Sequence, residues 1–527
     1  MSDPAPAANP SEATAVSTSE KVRAKAPTLV VVGILAALLM GALDNFVVLT
    51  ALPKIVSDLG QPSGVTFVVS GYLISSTVAI PIFGKLSDLY SRRNVFLLGL
   101  GIFIAGSLLS GLSQNLNELI AFRAIQGFGN GDFFPVGISI VAVVFPPETR
   151  AKIIGLLSGV FGIATVGGPL LGSFIVDNAT WRWVFYVNIP VGVIGIIILV
   201  ATLGPLLPTE KRTFDIPGAA LLSGWVATLL YALIQVSDSG WAWTDARTLA
   251  LLVATLVLFA AFVGWELRAK EPLVPLRLLA RRVVAGSGGT AFLIGFAVFA
   301  LTTFVSVLVG LVLIQPGASS ADVVRDVLYA LVVPIVFGAA IGGQLLSKVS
   351  YRTLTAVGAL ISAGGFVFLA GVTASTPTWV LYHGFLPVGG IVLPLVPIGF
   401  GAGMTLPVFI LAVQNEVAPS DVGAASGLVQ FLQSLGASMG VSILAVFQQW
   451  RFQALAPAAP AGGCASGSVP SPACQEYFSA TLTATVHSYD QLFALGLALL
   501  VLTFLVSLLL VGRLPQGKAP GTPTGSG

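Results

Sequence analysis

An aspartate stands inside an apolar run, in Ala42-Leu43-Asp44-Asn45-Phe46-Val47-Val48-Leu49-Thr50-Ala51-Leu52-Pro53. The residues before it are almost all apolar or small, and the run is long enough to cross a hydrocarbon core of ~30 Å. A carboxylate there costs at least about 2.5 kcal/mol, so its retention usually marks an ion or proton pathway. One cation also falls within an apolar run, Arg123 in Arg123-Ala124-Ile125-Gln126-Gly127-Phe128-Gly129-Asn130. At about 1.5 Å per residue, Asp44 and Arg123 lie at the same depth, ~9 Å below one surface. Equal depth and opposite charge predict a direct or water-bridged pair. Such a pair can load and release a proton if its surroundings switch between the two sides; otherwise it is a static structural bond. Gln126, Gly127 and Asn130 fall within about 60° of Arg123 on a 3.6-residue helix, giving one small, polar face. Asp132 is a second acid deep in a span. At about 100° per residue it faces roughly away from Arg123 unless the intervening glycines bend the helix, and it is a second candidate for holding a proton or cation.

Other polar patterns are weaker. Gln430, Gln433, Ser434 and Ser438 follow i, i+3, i+4, i+8 spacing in an otherwise apolar run. They line a substrate cavity or bond neighbouring helices. Asn45, Gln126 and Asn130 are the corresponding cavity candidates of the first half. No acid lies mid-span in the second half, since Glu266 and Glu416 fall near expected span ends, so proton chemistry is expected in the first half alone. Gly436-Ala437-Ser438-Met439-Gly440 spells a nucleophile-elbow pattern, but that motif needs a strand–turn–helix context and a histidine partner. The two histidines, His383 and His487, fall in expected loops, so the segment reads as small-residue packing and no enzyme is expected. No glycine-rich phosphate loop occurs, and neither a cofactor nor a metal site is expected.

These residues must be positioned by membrane helices. The chain has 527 residues, 55% hydrophobic and 9% charged, with mean hydropathy +0.95. Soluble proteins carry roughly 25% charged residues, so this is an all-α polytopic membrane protein. Apolar runs and turn signals predict fourteen spans, near 28–51, 65–84, 94–113, 117–145, 151–175, 184–206, 216–236, 246–267, 286–313, 323–346, 353–374, 385–414, 420–447 and 490–512. With the N-terminus inside, 19 of the 25 basic residues fall on the inner side and 5 on the outer. That bias predicts a multi-pass cell-membrane protein with both termini cytoplasmic. Trp181, Trp183, Trp241, Trp243, Trp379 and Trp450 fall near outer ends, as an aromatic belt would. Residues 1–27 read as a disordered cytoplasmic tail that is not a signal peptide, and 513–527 as a second tail. Between them lie a six-helix bundle at 28–206, a two-helix insert with a basic linker at 207–285, and a second bundle at 286–512. Cys464 and Cys474 share an expected outer loop at 449–489, where a disulfide is plausible. A faint repeat, Gly84-Lys85-Leu86-Ser87-Asp88 against Gly343-Gln344-Leu345-Leu346-Ser347, suggests parallel six-helix halves with a path between them. Net charge of +3 gives no reason to expect nucleic acid. The expected partners are the bilayer, protons and a small-molecule substrate, with the protein a monomer.

The same stretches resemble the major facilitator superfamily, specifically its fourteen-helix drug:proton antiporter family. The similarity covers nearly the whole chain and is densest over residues 43–192. Leu43-Asp44 through Pro53 resembles that family's first-helix motif. Gly84-Lys85-Leu86-Ser87-Asp88-Leu89-Tyr90-Ser91-Arg92-Arg93 is similar to the loop 2–3 signature, departing from it at Leu89 and Ser91. The segment Arg123–Gly129 is similar to the proton-linked motif of the fourth helix. Gly159, Gly162, Gly167, Gly168, Pro169 and Gly172 resemble the antiporter motif of the fifth, with Ser173 in place of a glycine. Trp181-Arg182-Trp183-Val184-Phe185-Tyr186-Val187-Asn188-Ile189-Pro190 resembles the sixth-helix signature. The resemblance implies a major facilitator fold of two six-helix bundles plus two inserted helices, exporting amphipathic, often cationic compounds against protons by alternating access. It implies gating roles for Gly84, Asp88, Arg92 and Arg93 in loop 2–3 and for Gly162, Gly168, Pro169 and Gly172. Positive-inside anchoring alone would account for the arginines, and close helix packing alone for the glycines. Rival readings are an exporter of a lipid, amino acid or secreted natural product, or a non-transporting sensor.

Overall fold

In hydrocarbon a chain must close its backbone hydrogen bonds within each segment, so runs of Leu, Ala, Val and Ile become helices. The computed structural model describes residues 26–59, 65–145, 147–204, 213–238, 241–309, 320–345, 348–370, 392–417, 422–457 and 472–510. Those residues are helical almost throughout and contain no strand. The first group comprises α1 Pro27–Leu59, α2 Val65–Leu89, α3 Arg92–Leu112, α4 Leu116–Asn130, α5 Phe133–Val144, α6 Pro147–Asn178, α7 Trp183–Tyr186 and α8 Asn188–Thr202. Next come α9 Ile216–Asp238 and α10 Ala246–Glu266, then a linker with a 3₁₀ turn at Leu276–Ala280. The last group comprises α11 Arg282–Ile294, a π segment Gly295–Phe299, α12 Ala300–Val307, α13 Ser320–Leu345, α14 Tyr351–Leu369, α15 Val392–Glu416, α16 Val422–Leu455 and α17 Pro472–Leu510. The described residues of the fourteen expected spans lie almost entirely on helical segments, and twelve candidate spans among the described residues meet the length and hydropathy of a membrane crossing.

Four local expectations are corrected. The fourth span is broken into α4 and α5 at Gly131 and Asp132. The first helix runs on past Pro53 to Leu59, its end extended by an exposed Lys54–Asp58 bridge of 3.1 Å one turn apart. Much of the expected outer loop 449–489 is helix, because α16 continues to Leu455 and α17 begins at Pro472. Its Gln, Glu, Ala, Ser and Thr residues escaped a reading based on apolar runs. Trp181, expected in the interfacial belt, is fully buried, with the Arg182 guanidinium 4.4 Å from its ring centre.

The first group has its own core, built from residues such as Ile34, Met40, Phe96, Phe103, Phe133 and Ile140. The last group has another, including Phe304, Leu331, Phe366, Val441 and Phe493. Between them, Val47, Leu52 and Val68 pack with Val307, Val324 and Leu328. Helices α9 and α10 cover one side, where Leu222, Trp225 and Phe262 meet Ile74 and Val78 of α2 and Phe431 of α16.

Candidate functional site

Close approach of α1 to α4 comes from small residues. An added Cβ on Gly41 would collide with the Asn130 amide. Gly127 and Gly131 bring α4 against α2 in the same way, and Gly129 brings it against α3. Gly106 lies against the Gln126 backbone, so α3 and α4 touch main chain to main chain. Two side chains fix the start of α4: Asn115 Oδ1, at the N-cap, accepts from Glu118 N at 2.9 Å, and Glu118 Oε2 accepts from Gln114 N at 2.8 Å. Arg123 follows two turns later and points into the bundle.

There Arg123 Nη1 donates to Asp44 Oδ2, forming an ion pair with both side chains buried. Gln126 Nε2 and Asn188 Nδ2 donate to Asp44 Oδ1 at 2.8 and 2.9 Å. Both amides also reach Ser107 Oγ, at 3.2 and 3.1 Å, and that hydroxyl donates to the Phe185 carbonyl at 2.8 Å. Helices α1, α3, α4 and α8 thus converge on one carboxylate. The guanidinium has further support: Nη1 donates to Gln126 Oε1 at 2.8 Å, and its central carbon lies 4.0 Å from the Tyr72 ring centre and 5.7 Å from that of Phe185. Tyr72 is anchored by its hydroxyl on the Gly41 carbonyl at 3.3 Å. In a low-dielectric interior these charge-assisted contacts are stronger than in water.

The remaining expected residues are distributed unevenly. Gln126 belongs to the ion-pair network itself. Asn130 is half-buried and donates to Ser76 Oγ at 3.2 Å, while Asn45 donates to the Gly41 carbonyl of its own helix at 3.1 Å. Asp132 does not join Asp44. At the break between α4 and α5 it is fully buried against Gly99 of α3, and neither carboxylate oxygen has a hydrogen-bond partner among the described residues.

Gly168 and Gly172 do what a small-residue stripe does. An added Cβ on Gly168 would sit 3.4 Å from the Leu43 carbonyl and against Phe46, and one on Gly172 would sit 2.9 Å from both Thr50 Cβ and the Val47 carbonyl. Helix α6 therefore lies against α1 on the stretch that carries Asp44. Pro169 is buried between the two glycines, and the surroundings of Gly162 lie outside the described residues. In the loop 2–3 region, Arg92 Nε donates to Ser139 Oγ at 2.6 Å and Arg93 Nη2 to the Val200 carbonyl at 3.4 Å. Open space surrounds Gly84, and the Asp88 side chain lies outside the described residues.

In the last group, Gln430, Gln433 and Ser434 are half-buried on α16. Ser438 is buried and shares a 3.0 Å hydrogen bond with Thr77 of α2, a polar link between the two groups. Gly436 and Gly440, which flank Ser438, face the Phe292 and Phe296 carbonyls across the α11–π helix. The serine pattern is thus a helix–helix crossing. Cys474 is disulfide-bonded; Cys464, the other cysteine of the chain, lies outside the described residues.

A family profile described as Major Facilitator Superfamily matches residues 34–441. Multidrug transporter protein MdtP of Bacillus subtilis (strain 168) is 33% identical over 417 residues, 79% of this chain and 74% of that protein. Multidrug resistance protein 3 of the same organism is 34% identical over 420 residues, 80% of this chain and 79% of that protein. Among solved structures, a bacterial homologue of the human lysosomal transporter Spinster, inward-facing and occupied, is similar with a TM-score of 0.61. The two are 15% identical over 92% of this chain and 96% of that one, a likeness of fold alone. Helical architecture and a profile match over most of the chain agree: the protein is a multi-pass membrane protein that belongs to the Major Facilitator Superfamily, a family of transporters.

Proposed function

We propose that this transporter exports amphipathic, cationic compounds in exchange for protons, by alternating access between a first bundle at 28–206 and a second at 286–512. The observation that carries this reading is the buried Asp44 carboxylate with its three converging donors. When a proton settles on Asp44, Arg123 keeps its charge and still has Gln126 Oε1 and the Tyr72 face as partners. The cation is therefore not stranded, and the pair can open and reform. Asp132, without a partner among the described residues, is the second proton carrier. A cationic substrate near the α1–α4 face competes with Arg123 for the same negative charge, so substrate and proton occupy the region in turn. Relatives named as multidrug proteins support the drug class.

Close α1–α6 packing at Gly168 and Gly172 transmits that change at Asp44 to the helix that meets α13, where Arg325 Nη1 donates to Ser173 Oγ at 3.2 Å. The loop 2–3 arginines hold helix ends on the opposite side, facing the cytoplasm if both termini are inside. Reconstituted vesicles under an imposed pH gradient, offered cationic, neutral and anionic probes, test the reading. Movement of cationic probes that follows the gradient is expected; flux indifferent to it would reject proton exchange.

A further inference from the structure

A second cluster of acids lies away from Asp44, where the two inserted helices meet the linker. Asp215 precedes α9 and caps it, its Oδ1 accepting from Gly218 N at 2.9 Å and from Trp265 Nε1 at 2.8 Å. Glu266 ends α10, and its Oε2 accepts from Val274 N in the linker at 3.2 Å. Asp215 is 9% exposed and Glu266 is 0% exposed. The other oxygen of each, Asp215 Oδ2 and Glu266 Oε1, has no partner among the described residues. Both point at Gly218, where an added Cβ would collide with Asp215 Oδ2 and lie 3.0 Å from Glu266 Oε1.

The charges around the pair do not neutralise it. From α2, Lys85 interacts electrostatically with Glu266, but its Nζ is bonded to Glu271 of the linker at 3.0 Å. Glu271 also accepts from Thr213 N at 3.0 Å. Arg268 and Arg277 are turned to the Gly264 and Leu267 carbonyls. Two buried carboxylates that both border Gly218 cannot both ionise cheaply. Two orphan oxygens at one place also lack the same thing, a single hydrogen.

We propose that Asp215 and Glu266 hold one proton between them, a proton-binding site separate from Asp44. Glu266, whose unpartnered Oε1 borders the same Gly218 corner as Asp215 Oδ2, is fully buried where Asp215 keeps 9% exposure, and it carries the proton. Its loss places two like charges at the junction that ties the insert, through Glu271 and Lys85, to the loop 2–3 end of α2. Insert and gate thereby respond to the pH on that side.

The test is infrared titration of the full-length protein in lipid, following the C=O stretch of protonated carboxyls. The wild-type protein should show a band at neutral pH that is absent from Glu266→Gln. Asp215→Asn should release that proton at least about one pH unit lower, because the like charge is gone. Glu266→Asp, which restores a carboxyl, guards against a misfolded glutamine variant and should restore a band. Superimposable wild-type and Glu266→Gln titrations overturn the proposal. So does a wild-type midpoint that moves when choline replaces sodium at fixed ionic strength, since the site would then be a cation site.

Discussion

The two halves of the molecule bury different kinds of polarity. In the first, charged and amide side chains meet across helices, with Asp44, Arg123, Gln126, Asn188 and Ser107 in one network and Asp132 nearby. In the second, the buried hydroxyls of Thr290, Thr302 and Ser306 bond carbonyls one turn back on their own helix, and Thr405 bonds the Ala402 carbonyl. Helices there approach through glycine: Gly342 lies against Met404 and Gly401 against Ser362. If Asp44 couples transport to protons as proposed, charge rearrangement belongs to the first half, and the second provides a closely packed wall against which it moves. On that proposal, a change at Asp44 reaches the second half through contacts such as Thr77–Ser438 and Arg325–Ser173.

The sharpest way to break this contrast is Asp44→Asn. Asn at this position mimics the neutral carboxyl: Arg123 loses its counter-charge but keeps Gln126 Oε1 and the Tyr72 face, so the cost should stay below the about 3–5 kcal/mol of a fully stranded buried charge. Transport driven by a pH gradient should fall to background, with a lowered melting temperature in detergent. Undiminished gradient-driven export in Asp44→Asn vesicles would show that the charged half is merely structural. Asp132→Asn breaks no ion pair. Its expected outcome is unchanged or raised stability with weakened coupling, read as less substrate moved at the same gradient.

Packing between α1 and α6 comes next in size. Gly172→Val inserts a branched side chain where even a Cβ is within 2.9 Å of Thr50 and the Val47 carbonyl. Overpacking of this kind costs about 1–3 kcal/mol. Thermal unfolding should shift downwards, and export should slow even where the protein is still folded. A tolerated Gly172→Val with normal export would mean that α6 does not relay changes at Asp44. Smaller still is the link between halves. A double-mutant cycle of Thr77→Val and Ser438→Ala should give a coupling energy of about 0.5–1.5 kcal/mol in unfolding measurements. A coupling energy of zero would leave the two halves without a polar tie at that contact.

What was legible beforehand follows from how unusual each signal is. Asp44 and Arg123 stand out because charge in an apolar run is rare, and matching depths followed from helical rise alone. Asn188 and Ser107 did not stand out, since neutral polar residues are common in membrane helices and their meeting depends on α3 and α8 converging. Asn188 lies in Trp181–Pro190, and the resemblance of that stretch to the sixth-helix signature is the available signal. The neighbour of Asp132 could not be read because the helix breaks beside it, which voids the angular count from Arg123. The Asp215–Glu266 encounter was hidden for a different reason. It joins the start of one helix to the end of the next, and only tertiary packing brings those ends together.

The smallest expected effect tests the wall itself. Gln433 lies half-buried on α16 one turn from Gln430, on the helix that also carries Ser438. Its backbone carbonyl packs against Gly295, so the main chain is fixed and Gln433→Ala removes only the side-chain amide. If that amide faces substrate, losing one hydrogen bond of about 0.5–1.5 kcal/mol raises the half-saturating concentration about two- to tenfold. The effect should fall on compounds that accept or donate hydrogen bonds and spare purely hydrocarbon ones. Dependence on the pH gradient should not change, because no hydrogen bond among the described residues links Gln433 to the Asp44 network. A Gln433→Ala protein that lost gradient dependence while keeping its affinities would reverse the assignment, placing coupling in the second half.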